Sequence, residues 1–232
     1  VEKQWVSRLW IGFELGGLQG LMGWYMVKSG LVDIPHVSHY RLAAHLSLAL
    51  VILVFLFWLI LDIARVKRED VNPGYYRWTL FLAVVLAIQF VFGAFTAGLD
   101  AGRGFNTWPM MYGQFLADAA VMMEPFWVNF FENGVMIQFV HRWVGAILLL
   151  GVVGLSLAAI RQGVLKNGVL ALLVITVSQF VLGVLTLLQA VPVVLGSLHQ
   201  AVACLMLIAL VYVTYIARGN PQVGMADGDS QA

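Results

Sequence analysis

The stretch MIQFVHRWVGAILLLGVVGL, residues 136–155, decides the class of fold. A helix needs about 20 apolar residues to cross about 30 Å of hydrocarbon, and this run supplies them. Backbone groups in lipid must pair within their own segment, so a run this uniformly apolar is helical; a barrel strand would be shorter and would alternate. Yet His141 and Arg142, a titratable ring and a permanent cation, stand within its first two turns. Ionisable groups in a spanning helix are expensive and usually face a bundle interior, where they bind something or relay protons.

The rest of the chain is of the same kind. Of 232 residues 61% are hydrophobic and 11% charged, against about 25% charged in an ordinary soluble domain, so apolar surface must face lipid as well as a core. A net charge of +1 with no basic stripe excludes nucleic acid as a partner. Cys204 is the single cysteine; it allows no intrachain disulfide and reads as a small buried hydrophobe.

Apolar runs near 9–27, 40–62, 77–99, 136–160, 165–189 and 193–217 predict six transmembrane helices in an all-α bundle. The connection 63–76 is moderate, and only 100–135 is long enough to fold over a surface. One side collects Lys3, Arg8, Arg65, Lys67, Arg68, Arg77, Arg161, Lys166 and Arg218, the other Lys28, Arg41, Arg103 and Arg142. The positive-inside rule makes the first side cytoplasmic, with both ends of the chain and loop 63–76 on it. Residues 218–232, rich in Gly, Pro and Asp without apolar periodicity, read as a disordered cytoplasmic tail.

In this topology the second, fourth and sixth segments run the same way, and each carries a histidine one to two turns from its outer end: His45, His141 and His199. At 1.5 Å per residue the three share one depth. A histidine that merely bonds a neighbouring helix explains one of them as well as a ligand does, but explains three at one depth less well. Zinc is disfavoured, because no Asp or Glu accompanies them at that depth, and Glu14 and Asp62 fall near the opposite ends. Two histidines on neighbouring helices can instead clasp one haem iron, with the porphyrin in the apolar bundle. Its propionates would need cations at the membrane edge. Arg142 beside His141 and Arg41 one turn before His45 are candidates, with snorkelling to lipid headgroups as the alternative. His36 and His39, in the outer stretch VDIPHVSHYR, read as solvated rather than as ligands.

His141 and His199 make one pair, which leaves His45 without a partner. The chain begins at Val1 rather than Met, so an upstream segment with a fourth histidine is expected. A repeat agrees: LQGLMGWYMV and RLAAHLSLAL in the first two segments parallel SQFVLGVLTL and GSLHQAVACLMLIAL in the last two. Gln19, Gln89 and Gln179 each precede a glycine (Gly23, Gly93, Gly183) by four residues, on one helix face, which reads as a close-packing seam. Six visible helices of an eight-helix, internally duplicated bundle follow. Residues 1–62 would form the second half of the N-terminal four-helix unit, and residues 77–217 the C-terminal unit.

GGLQGLMGWYMVKSGL, YRLAAHLSLA, GLDAGRGFNTWPMMYGQF, QFVHRWVGA and GSLHQAVA together resemble the haem A synthase family over nearly the whole chain except the tail. The resemblance implies an oxidoreductase that converts the methyl group at position 8 of haem O, through an alcohol and a hydrated diol, to the formyl group of haem A for cytochrome c oxidase. It implies a haem b held by His141 and His199. The haem O or haem A under reaction would have His45 as one ligand and as the catalytic-site residue, in the half whose other ligand and acidic residue precede this chain. Loop 100–135 becomes a lid over the outer sites, with Arg103, Asn106 and Trp108 as haem-edge contacts; an interfacial aromatic belt of Trp108, Met110, Met111 and Tyr112 is the alternative. The partners implied are haem O synthase, the oxidase assembly machinery, membrane lipid and a homo-oligomer. The location implied is the bacterial inner membrane, or the mitochondrial inner membrane in a eukaryote; the absence of a cysteine pair places the chain near the proteobacterial and mitochondrial branch. Two rivals stand beside this reading: a b-type di-haem electron-transfer subunit, and a haem-free transporter lined by the same polar residues.

Overall fold

The structure, a computed structural model, describes residues 3–30 and 37–219. Among these there is helix, turn and loop but no strand: α1 (Lys3–Gly30), α2 (His39–Ile63), α3 (Pro73–Gly98), α4 (Asn129–Glu132), α5 (Gly134–Gln162), α6 (Lys166–Leu188) and α7 (Val193–Ala217). Five of them, α2, α3, α5, α6 and α7, are long and apolar enough to cross a membrane, so the chain is a multi-pass membrane protein. The first segment, expected to span with them, forms an equally long helix but falls short of that measure. Its glycines, Glu14 and Gln19 dilute the apolar residues. The expected loop 63–76 is also shorter than predicted. Asn72 accepts a bond from Gly74 N at 2.7 Å and Pro73 opens α3, so the helix starts four residues earlier. His36 and the tail beyond residue 219 lie outside the described residues.

Helices α3, α5, α6 and α7 close into a ring, each packed on the next and α7 returning to α3, so that α5 and α7 face one another across it. The ring is filled by Leu82, Leu86 and Phe90 of α3, Leu148, Val152 and Leu155 of α5, Val169 and Leu172 of α6, and Met206, Leu210 and Val213 of α7. Small residues let the backbones approach. A Cβ on Gly151 would lie 2.6 Å from Leu82 Cδ2, so a larger residue there would make the fully buried Leu82 side chain shift. Outside the ring α2 packs on α3 and α7, and α1 packs on α2 alone. Trp10, Phe13, Leu21 and Trp24 of α1 stay exposed.

Polar ties finish the two ends of the bundle. At one end Asp62 pairs with Arg8 at 2.9 Å and Arg68 at 3.5 Å and accepts from the Tyr215 hydroxyl at 3.0 Å. Beside it Glu69 N donates to Ile216 O at 2.9 Å while its carboxylate accepts from Leu165 N at 2.8 Å. At the other end lies the connection between α3 and α5, which is tightly built. It contains three 3-10 turns, and fully buried Asn129 bonds Met123 and Phe126 backbone atoms. Asn133 accepts from Val135 N at 2.9 Å, starting α5, and donates to Ala119 O at 2.7 Å. His39, expected to be solvated, is buried there. Its Nε2–H donates to Phe131 O at 2.9 Å and its ring packs edge-on against Phe95. The helix α2 begins at this residue rather than after it, which carries the ring under the loop.

Candidate functional site

His45, His141 and His199 stand six or seven residues in from the loop ends of α2, α5 and α7. Each is met by the preceding long helix in the same manner. The Gln19 side-chain amide lies in hydrogen-bond contact with His45 Nε2 at 3.4 Å, that of Gln89 with His141 Nε2 at 3.5 Å, and that of Gln179 with His199 Nε2 at 3.3 Å, the direction of each bond following the tautomer of the ring. One turn further along, a Cβ placed on Gly23, Gly93 or Gly183 would lie 3.3, 3.2 or 2.8 Å from Cε1 of the same ring. The spacing Gln-xxx-Gly, expected as a seam between helices, is thus a surround for an imidazole. Sequence reasoning found the shared face but not the ring that lies against it.

The three histidines do not converge. His141 and His199 face each other across the ring with centroids 6.4 Å apart, whereas His45 lies between α1 and α2. Among the described residues no three His, Cys, Asp or Glu side chains gather as a metal cluster. The facing pair lines a cavity of about 350 Å³ with Gln89, Gln179, Trp108 and Arg142; its walls include Leu86, Phe90, Phe180 and Met206. Each of the two rings keeps a buried nitrogen, Nδ1, with no partner. Two imidazoles on opposite faces of one metal ion, at bonds of about 2 Å, need ring centres about 6 Å apart. The separation of the two rings and the apolar walls fit a haem held by two histidines.

Arg142 is buried at 7% exposure on the loop side of the cavity. Its guanidinium donates to Thr107 O at 2.7 Å, to Phe105 O, and to Gln138 Oε1 at 3.1 Å, and it lies over the Trp108 ring. Among the described residues no carboxylate pairs with it. The arginine therefore neither snorkels nor stands free: it ties the loop to α5 and carries an unneutralised charge at the mouth of the cavity. Asn106 donates to Gly102 O and Leu187 O, both at 2.8 Å, so the same loop is tied to α6. Trp108 packs against Phe180 and Trp143. Arg103 is exposed and pairs with Asp100 at 3.7 Å. Arg41 stacks on Tyr25 of α1, 5.0 Å from the ring centre, away from this cavity. The loop carbonyls and Gln138 carried no signal in the sequence, because a backbone acceptor looks the same at every residue.

Fold and site together define a helical membrane protein with a paired-histidine cavity under a tied loop. The family model described as Cytochrome oxidase assembly protein (COX15-CtaA) matches residues 1–211, and the chain belongs to that family. It is similar to proteins named "Heme A synthase" from three bacteria. These are Parvibaculum lavamentivorans (43% identity over 87% of this chain and 58% of the relative), Nitrosospira multiformis (42%, 89% and 60%) and Wolbachia pipientis wMel (40%, 86% and 57%). The chain thus spans 57–60% of the length of these relatives. No solved structure matches it significantly.

Proposed function

We propose that the chain is part of a haem A synthase, an oxidoreductase that takes the position-8 methyl of haem O to the formyl group of haem A for cytochrome c oxidase. The observation that carries this reading is the facing pair His141 and His199 over an apolar cavity, in a chain of a cytochrome oxidase assembly family whose relatives bear that name. His141 and His199 hold a haem b. That group supplies one-electron transfer. Arg142 offers its unpaired charge to a propionate at the cavity mouth, and Trp108 covers the porphyrin edge. His45, in the same surround on α1 and α2, is one ligand for the haem O substrate, with Arg41 one turn away.

The finer architecture belongs to the same proposal. The six long helices are six of eight, α1 spans with the rest, and the α1–α2 hairpin is half of a second four-helix unit. Both ends of the described chain face the cytoplasm, in a bacterial inner membrane or its mitochondrial equivalent. Haem O synthase, the oxidase assembly machinery and a second copy of the protein are the partners proposed.

The test is to purify the full-length protein, record its reduced-minus-oxidised spectrum and extract its haems from cells that make haem O. A b-type band and accumulation of haem A are expected. A colourless protein would sink the haem reading in favour of a transporter. A b-type band without haem A would leave an electron-transfer subunit.

A further inference from the structure

We propose that the Gln-xxx-Gly pairs on α3 and α6 are positioning seats that preset the rotation and depth of His141 and His199 as axial ligands. The inference rests on the haem reading above. Glutamine and glycine four residues apart lie on one face of a helix, one turn of about 5.4 Å apart. The two contacts fall on neighbouring ring atoms, the amide at Nε2 and the bare glycine backbone beside Cε1, so together they fix how the ring is turned. The geometry recurs without exception in the three hairpins: amide to Nε2 at 3.4, 3.5 and 3.3 Å, and glycine beside Cε1. Three hairpins whose surroundings differ keep both contacts on the same ring atoms.

Two further features single out the ring as the object of the motif. In all three hairpins the same two atoms, His Nδ1 and Gln Oε1, are buried without a partner. A motif selected for packing would not strand a polar atom at the same place three times, since each costs about 1–3 kcal/mol. Secondly, the residue four beyond each histidine is small: Ala49, Gly145 and Ala203. At Gly145 the reason is visible, because a Cβ there would lie 3.0 Å from the Gln89 amide nitrogen. Space is cleared on one helix for the glutamine and on the other for the imidazole. Metal-binding histidines are oriented by such second partners, whose loss weakens binding about 10- to 100-fold.

The contacts grade the outcome. A methyl group at Gly183 would meet His199 Cε1 at 2.8 Å, closer than the 3.2 Å at Gly93, so Gly183→Ala must move its ring further than Gly93→Ala. In the full-length protein purified with its haem, Gly183→Ala is expected to bind haem about tenfold more weakly, scored by transfer to excess apo-globin, and to shift the low-spin ferric EPR signal. Gly93→Ala is expected to do so less, and Gly23→Ala to leave the b-type signals unchanged. Gln89→Leu and Gln179→Leu add no bulk, keep the fold, and are expected to move the EPR signal and the midpoint potential. Wild-type EPR, potential and haem retention in Gln179→Leu and Gly183→Ala would overturn the seats while leaving the haem assignment standing. A wild type without b-type absorbance would overturn the haem reading and the seats with it.

Discussion

The α1–α2 hairpin and the ring of α3, α5, α6 and α7 contain the same local device in different company. Each of the three hairpins holds a histidine against a glutamine and a glycine. Among the described residues two such hairpins face each other in the ring, with a cavity between their imidazoles and the loop of Trp108 over it. In the α1–α2 hairpin the histidine is presented just as carefully, but the outer face of α1 carries exposed Trp, Phe and Leu side chains. The lesson is that orientation of an imidazole is local, set within one hairpin, whereas enclosure of the cavity between the facing rings is a property of two.

Substitutions can break that comparison in order of expected effect. Changing His141 and His199 together to Ala should remove the b-type spectrum of the full-length protein entirely. His45→Ala should keep that spectrum and abolish haem A formation in cells; retention of haem b by the double variant would refute the pairing. Arg142→Leu leaves Phe105 O, Thr107 O and Gln138 Oε1 without their charged donor. It should cost about 3 kcal/mol and expose residues 104–117 to limited proteolysis, which the α1–α2 hairpin would not feel.

Gly98→Ala acts on the joint between the two regions, since a Cβ there would stand 2.8 Å from His39 Cα, a backbone atom that cannot swing away. A loss of about 2 kcal/mol in thermal stability is expected, with the haem b spectrum preserved. The smallest effect should come from Arg8→Gln. Its ion pair to Asp62 involves an Arg8 side chain 48% exposed, so about 1 kcal/mol or less is at stake, measurable as a slight fall in melting temperature that high salt reproduces in the unaltered protein.

Much of this was legible in the residues. The long apolar runs gave the helices to within a few positions, because hydrocarbon permits one backbone solution. The equal depth of His45, His141 and His199 followed from rise per residue once the direction of each segment was known. What escaped the sequence depends on neighbours that lie far along the chain. Gln-xxx-Gly declares a face but not its occupant. Arg142 declares a cation, while its acceptors are carbonyls about 35 residues earlier. His39 looked like part of a polar loop because the groups that bury it, Phe95, Gly98 and Phe131, are brought in by α3 and α4. The departure of α1 from the other long helices is visible in its glycines.

The web around Asp62 bears on biosynthesis. Tyr215 bonds Asp62, which precedes it by 153 residues, and Glu69 is held by Leu165 and Ile216. Asp62 and Glu69 are translated well before Tyr215 and Ile216, so among the described helices α7 is the last to bring them a partner. The end of the bundle is thereby latched from both directions at once. A ribosome stalled before Tyr215 would leave Asp62 with Arg8 and Arg68 but without its hydroxyl donor.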